Sequence, residues 1–274
     1  MSNMKIVIPL IITILALLIF GVKQEIKKGE KSIMEENITN ITIINVYDNV
    51  EFDPKFRTGF GFAAVVKLKD ETILFDTGGD PETLLANLQT ARIKPEDIGV
   101  IVLSHAHSDH TGGLLGFLEK NSNVEVYVPK SFPSSFKEKI KATGAGVVDV
   151  GNSLRIAEGV YSTGELGMRI KEQSLVINSN KGLIVITGCA HPGIVNIVKK
   201  AKELTKEGVY LVTGGFHLGG TSDSKLKEII NSFRKLGVKK VGPCHCSGDR
   251  CRELFKEEYG NDFIEVGVGK IIGI

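Results

Sequence analysis

The chain has 274 residues, 42% hydrophobic and 24% charged, which is an ordinary globular balance with enough apolar residues to close a core. Its 34 basic and 32 acidic residues leave a formal charge of +2. They are interspersed rather than gathered in a stripe, so no nucleic-acid partner is expected. Four cysteines in a chain this long do not make a disulfide framework.

In chain order, the first feature is an unbroken apolar run, Ile6 to Val22, with Lys5 before it and Lys23 after it. As a helix it would be about 25 Å long, within the range of a spanning segment. The expectation is a single-pass membrane anchor over residues 1–23. The alternatives are a cleaved signal leading to secretion, although Leu18 to Val22 offers a poor cleavage site, and a core helix, which the lack of a polar face argues against. Lys23, Lys27, Lys28 and Lys31 outnumber Lys5, which would keep the catalytic domain in the cytoplasm; an exporting segment would place it outside. Residues 24–40 read as a polar linker.

From Ile41 onward, β-branched apolar runs predict strands at Ile41–Val46, Ala63–Leu68, Thr72–Phe75, Val100–Leu103, Val124–Val128, Val147–Val150, Leu175–Asn178, Leu183–Thr187, Val209–Thr213 and Lys240–Gly242. Helical periodicity covers Pro81–Ala91, Gly112–Glu119, Phe132–Ala142, Ile194–Thr205, Lys225–Leu236 and Cys251–Tyr259. Asp80 is a good N-cap with Pro81 at the first helical position. Strands interleaved with helices predict one layered α/β domain over residues 41–274.

All six histidines fall in loops just after apolar strand-like runs. The densest segment is Ser104-His105-Ala106-His107-Ser108-Asp109-His110-Thr111-Gly112-Gly113; the others centre on His191, His217 and His245. Alternate residues of an extended chain project to one side. His105, His107 and Asp109 can therefore share a face, with His110 turning to the other as a helix begins. Imidazole and carboxylate donors suit zinc, as one or two ions, with iron, manganese or nickel as alternatives.

His-x-His-x-Asp-His after a strand, with Phe75-Asp76-Thr77-Gly78 upstream and single histidines downstream, resembles the metallo-β-lactamase superfamily from about Ile41 to the C-terminus. The resemblance implies an αββα sandwich with a one- or two-metal site at the strand ends. It places His105, His107 and His191 around one metal, Asp109, His110 and His245 around the other, and Asp76 behind them as an orienting carboxylate. Most two-metal members carry a bridging aspartate in a Thr-Gly-Asp-like context, where this chain has Thr213-Gly214-Gly215. The Gly-Gly-Phe-His-Leu and His-Cys-Ser-Gly patterns resemble the 7,8-dihydropterin-6-methyl-4-(β-D-ribofuranosyl)-aminobenzene-5′-phosphate synthase-like group, whose named activity is transfer rather than hydrolysis.

His217 is assigned a role at the site, as a substitute ligand, a substrate contact or an acid–base group. Cys189, Cys244 and Cys246 flank the histidine loops; packing is favoured over ligation or a redox role. Helix starts after Asp76, His110 and His191 favour an anionic group on the substrate. Arg57 and the loop to Phe62 form a candidate rim. The expected function is hydrolysis of an anionic small molecule by a metal-bound hydroxide, with Asp109 and His217 catalytic. The alternatives are synthase-like transfer, a non-catalytic metal-binding sensor, and an iron redox protein. The sequence does not fix the oligomeric state.

Overall fold

The computed structural model describes residues 37–205 and 207–274. The apolar run Ile6–Val22 lies outside them. The anchored membrane location expected from it is corrected: among the described residues no helix is long and apolar enough to cross a membrane.

The elements run β1 Thr42–Asp48, β2 Phe62–Lys67, β3 Thr72–Phe75, α1 Pro81–Thr90, β4 Val100–Val102, α2 Ser108–Thr111, α3 Leu114–Leu118, β5 Glu125–Pro129, α4 Ser134–Ala142, β6 Gly146–Val150, β7 Leu154–Ala157, β8 Val160–Ser162, β9 Leu175–Ser179, β10 Gly182–Thr187, α5 Ile194–Thr205, β11 Val209–Gly215, α6 Asp223–Leu236, β12 Lys240–Cys244, α7 Asp249–Tyr259 and β13 Ile271–Gly273. They form a mixed α/β structure with two sheets, in strand orders β13-β1-β2-β3-β4-β5-β6 and β12-β11-β10-β9-β8-β7. Strands β3 to β6 are mutually parallel, as are β10 to β12.

Alternation along each strand explains why the runs are apolar on both faces. Ile43, Ala64, Val66, Ile73, Phe75, Val100 and Val102 pack between the sheets against Ile177, Ile184, Ile186 and Leu211. Their neighbours Ile44, Val65, Leu74, Ile101 and Leu103 point the other way, onto Leu84 and Leu88 of α1, Leu114 and Phe117 of α3, and Ile140 of α4. Strands buried on both faces read as continuous apolar runs, and each such side chain contributes roughly 1.5–3 kcal/mol of burial. A one-residue slip would exchange the two cores, which pins the register.

Most predicted elements match to within two residues. Asp80 caps α1, its Oδ1 accepting from the Thr83 N–H at 2.7 Å. The helix predicted over Gly112–Glu119 begins at Leu114, because the loop after β3 crosses the preceding glycines. The Gly112 N–H donates to the Gly78 carbonyl at 2.9 Å, and a Cβ on Gly112 would collide with the Gly79 carbonyl. Strands β7, β8 and β13 were not predicted. They are three or four residues long, too short for a periodic signal. β7 and β8 form a hairpin that extends from β9, and β13 pairs with the edge of β1.

Candidate metal centre

The histidine loops leave the C-terminal ends of parallel strands, the side of an α/β sheet where ligands bind. Asp76 follows β3, residues 104–110 follow β4, His191 follows β10, His217 follows β11 and His245 follows β12. Asp76, Ala190, His217 and His245 all have left-handed backbone, with φ of 59°, 60°, 52° and 50°. Such strain in non-glycine residues is held only where surrounding contacts over-determine it.

Asp76 is fully buried and organises the β4 loop. Its Oδ1 accepts from the Ser104 N–H at 2.6 Å; its Oδ2 accepts from the Ser104 hydroxyl at 2.7 Å and lies 2.7 Å from His110 Nδ1. Since the Ser104 hydroxyl proton goes to Asp76, Ser104 Oγ accepts from His105 Nδ1 at 2.9 Å. One carboxylate thereby fixes two imidazoles with their Nε2 atoms turned inward. His245 is set the same way: its Nδ1 donates to Asn49 Oδ1 at 2.8 Å, while Asn49 Nδ2 donates to the His245 carbonyl at 3.3 Å. The His245 N–H donates to the buried Asp48.

The His191 loop hangs on Glu172, which is fully buried. Glu172 Oε1 accepts from the N–H groups of Cys189 and Ala190 at 3.0 and 2.8 Å, and Oε2 from that of His191 at 2.8 Å. The ring centroids of His191 and His217 are 4.4 Å apart.

Two groups of ligand-type atoms result, each with all members within 4.8 Å of one another: His105, His107 and His191; and Asp109, His110, His245 and Cys189. His105 Nε2 lies 3.0 Å from His107 Nδ1. Asp109 Oδ2 lies 3.5 Å from His110 Nε2 and 3.4 Å from His245 Nε2. Donors placed tetrahedrally at ~2.0 Å from one cation stand about 3.3 Å apart, so these spacings fit. Buried His191 Nε2 and His245 Nε2 have no hydrogen-bond partner, as lone pairs meant for a cation should not. A third group joins Cys189 to His217 and Cys246.

Electrostatics follow from the crowding. Burial, then the neighbouring His110, His191 and His107, drive the His105 pKa down. Burial, with His217 and His107, takes His191 to about 4. Burial, with His107 and His245, also lowers His217. For Asp109, burial would raise the pKa, but the imidazoles of His110 and His245 facing it at 3.5 and 3.4 Å hold it far below the carboxylate range. For His110, burial opposes protonation, but Asp76 and Asp109 outweigh it and lift the pKa to about 10.

The structure thus brings His105, His107, His191, Asp109, His110 and His245 together, with Asp76 behind and His217 beside them. Asp109 parts from His105 and His107, because α2 starts at Ser108 and turns the chain. Phe60 is exposed at the rim, its ring centroid 5.5 Å from that of His245, whereas Arg57 pairs with Glu82. Sequence reasoning missed the anchoring of Ser104, Glu172, Asp48 and Asn49. Glu172 carries no motif, and its loop partners are 17 to 19 positions away.

Two sheets with a histidine-rich centre at their strand ends define a class. The chain belongs to the metallo-β-lactamase superfamily, whose model matches residues 57–160. It is 31% identical to the 7,8-dihydropterin-6-methyl-4-(β-D-ribofuranosyl)-aminobenzene-5′-phosphate synthase of Methanocaldococcus jannaschii, over 86% of this chain and 98% of that protein. The crystal structure of Tm1679, a metal-dependent hydrolase of the β-lactamase superfamily, superposes with a TM-score of 0.71 at 26% identity, covering 85% of this chain and 99% of that one. The metallo-β-lactamase fold protein YhfI from Bacillus subtilis shares the fold, with a TM-score of 0.64 at 14% identity, over 86% and 99% of the two chains.

Proposed function

We propose that residues 41–274 form a two-metal enzyme that cleaves a bond at an electrophilic centre of an anionic small molecule. The observation that carries this is the pair of ligand clusters drawn from separate strand-end loops, with inward lone pairs fixed by Asp76, Ser104 and Asn49. His105, His107 and His191 would hold one ion, and Asp109, His110 and His245 the other; nitrogen and oxygen donors suit zinc. Bound divalent ions supply Lewis acidity toward a substrate oxygen and acidify water near neutral pH.

The chain's own groups do the rest. A cleft of about 390 Å³ adjoins the site, lined by His191, His217, Phe216, Leu218, Ile194 and Lys225 among others, a size suited to a small ligand. The start of α5 favours an anionic group there, while Lys225 is paired at 2.8 Å with Glu228, which also lines the cleft. His217, kept below its ordinary pKa, is neutral near pH 7. It is placed to accept a proton from the attacking group and return it to the leaving group. Asp109, held ionised, would neutralise part of the charge of the ion it holds.

Transfer is the second reading, favoured by the 31% identity over 98% of a relative named as a synthase. Purified protein of measured metal content, assayed on phosphoester and lactone substrates and on a dihydropterin donor with a ribofuranosylaminobenzene phosphate acceptor, decides between them. Joined product marks transfer and released fragments mark hydrolysis. Inert protein in every assay, with two metals bound, would refute the enzymatic reading.

A further inference from the structure

Where most two-metal relatives carry a bridging carboxylate, this chain has Gly215, and its surroundings exclude any side chain. A Cβ there would collide with the Gly188 carbonyl, and would come within 2.8 Å of Cys246 Sγ and 3.2 Å of His245 Cδ2. The space is closed by a sulfur-bearing wall rather than left for a substitute carboxylate. Within 4.8 Å of the Cys246 sulfur lies that of Cys189, buried, its Sγ 3.1 Å from His110 Nε2 and within 4.8 Å of the ligand atoms of Asp109 and His245. His110 Nδ1 is committed to Asp76, so Nε2 is the nitrogen that faces the sulfur. His245, 4% exposed, aims an unpartnered Nε2 into the same space.

We infer that Cys189 supplies the fourth ligand of the second metal, replacing the bridging carboxylate and closing that ion's coordination shell. The inference rests on the two-metal reading above. Four protein ligands make a closed tetrahedral site, whereas three leave a position for substrate or water. The two ions therefore divide the work. The Asp109, His110, His245 and Cys189 site is a buried, resident charge. The His105, His107 and His191 site, with His107 exposed, has three protein ligands and would keep a position open for substrate or water. Of the six histidines, His191 and His217 line the cleft.

Cysteine-to-cobalt bonds give an intense near-ultraviolet charge-transfer band that imidazole and carboxylate ligands do not. Metal-free full-length protein titrated with cobalt(II) is expected to bind two equivalents, one of which brings up that band. Cys189→Ser should abolish the band and weaken one equivalent by roughly tenfold or more, leaving the other unchanged. Cys246→Ser, across the wall, should keep both. Two equivalents bound by the wild type without the band would overturn the inference and leave the two-metal reading standing. So would a band that survives Cys189→Ser or disappears in Cys246→Ser. Failure to bind cobalt at all would overturn both. The wild-type spectrum keeps the test decisive even if Cys189→Ser fails to fold.

Discussion

Glu172 gives the sharpest test of how the site is held. Its two carboxylate oxygens accept three backbone N–H groups, those of Cys189, Ala190 and His191, at 2.8 to 3.0 Å, in a fully buried setting where burial pushes its own pKa up. Glu172→Gln keeps the shape but turns one oxygen into an NH₂ group. Facing His191, that group meets a donor with a donor; flipped, it faces Cys189 and Ala190 and loses two bonds. At least one hydrogen bond to a charged acceptor disappears, worth ~1.5–3 kcal/mol. Glu172→Ala strands all three donors, each costing ~1–3 kcal/mol, for a total of roughly 3–6 kcal/mol after partial relaxation. In a domain of this size each kcal/mol lowers Tm by about 2–4 °C, so Glu172→Gln should melt roughly 3–12 °C below wild type. The loop also carries His191, so the first site should lose about 10–100-fold in metal affinity. Thermal unfolding of metal-free protein and a competition titration with a chromogenic chelator read the two effects. A Glu172→Gln protein that melts and binds metal like wild type would show that the loop keeps its shape without the carboxylate.

The same geometry sets three further outcomes. Asp76→Asn should weaken both sites by about 10–100-fold, because Asp76 reaches His110 directly and His105 through Ser104; a loss confined to one site in the same titration would contradict that double linkage. Gly215→Asp should destabilise the protein by about 1–3 kcal/mol or more through overpacking rather than tighten metal binding, and a denaturation curve showing unchanged stability with higher affinity would contradict it. The two sites should also differ in pH dependence. The metal-free His110 pKa, raised to about 10, and the Cys189 thiol, held protonated by its neighbour Cys246 and by burial, mean that a metal ligated by both must displace two protons, so second-site affinity should rise about a hundredfold per pH unit from pH ~7 toward 10, and about tenfold if only His110 gives up a proton. His191, lowered to about 4, and His105, also lowered, are already neutral, so they add no pH dependence to the first site over that span. For stability the sign is that of a raised histidine: the metal-free protein holds the His110 contribution in full below its ordinary pKa and loses it as pH rises through about 10. Calorimetry giving equal proton release at both sites would overturn this assignment.

The strand and helix pattern was legible in the sequence because the two periodicities are local. Doubly buried strands appear as apolar runs, and Asp80-Pro81 announces a helix start whatever surrounds it. The histidines were legible for a related reason: all six fell in loops after strand-like runs, and His-x-His-x-Asp-His packs four ligand-type residues into six positions. Yet spacing along an extended chain put Asp109 on the face of His105 and His107. The helical turn at Ser108 moved it to the company of His110 and His245, the latter far along the chain. Glu172 and Asn49 were invisible as site residues for the same cause, and Cys189, beside the His191 loop, was read as packing rather than ligation. A buried carboxylate and a surface-type amide have no sequence signature. Their roles come from which backbone N–H or ring nitrogen the fold brings within hydrogen-bonding reach. Composition and periodicity determined that this chain makes a layered α/β domain rich in metal-ligating side chains. The family resemblance already divided those side chains into two sets; only the tertiary structure decided what holds each ring nitrogen in place, because hydrogen-bond geometry between distant segments exists only once the strands have paired.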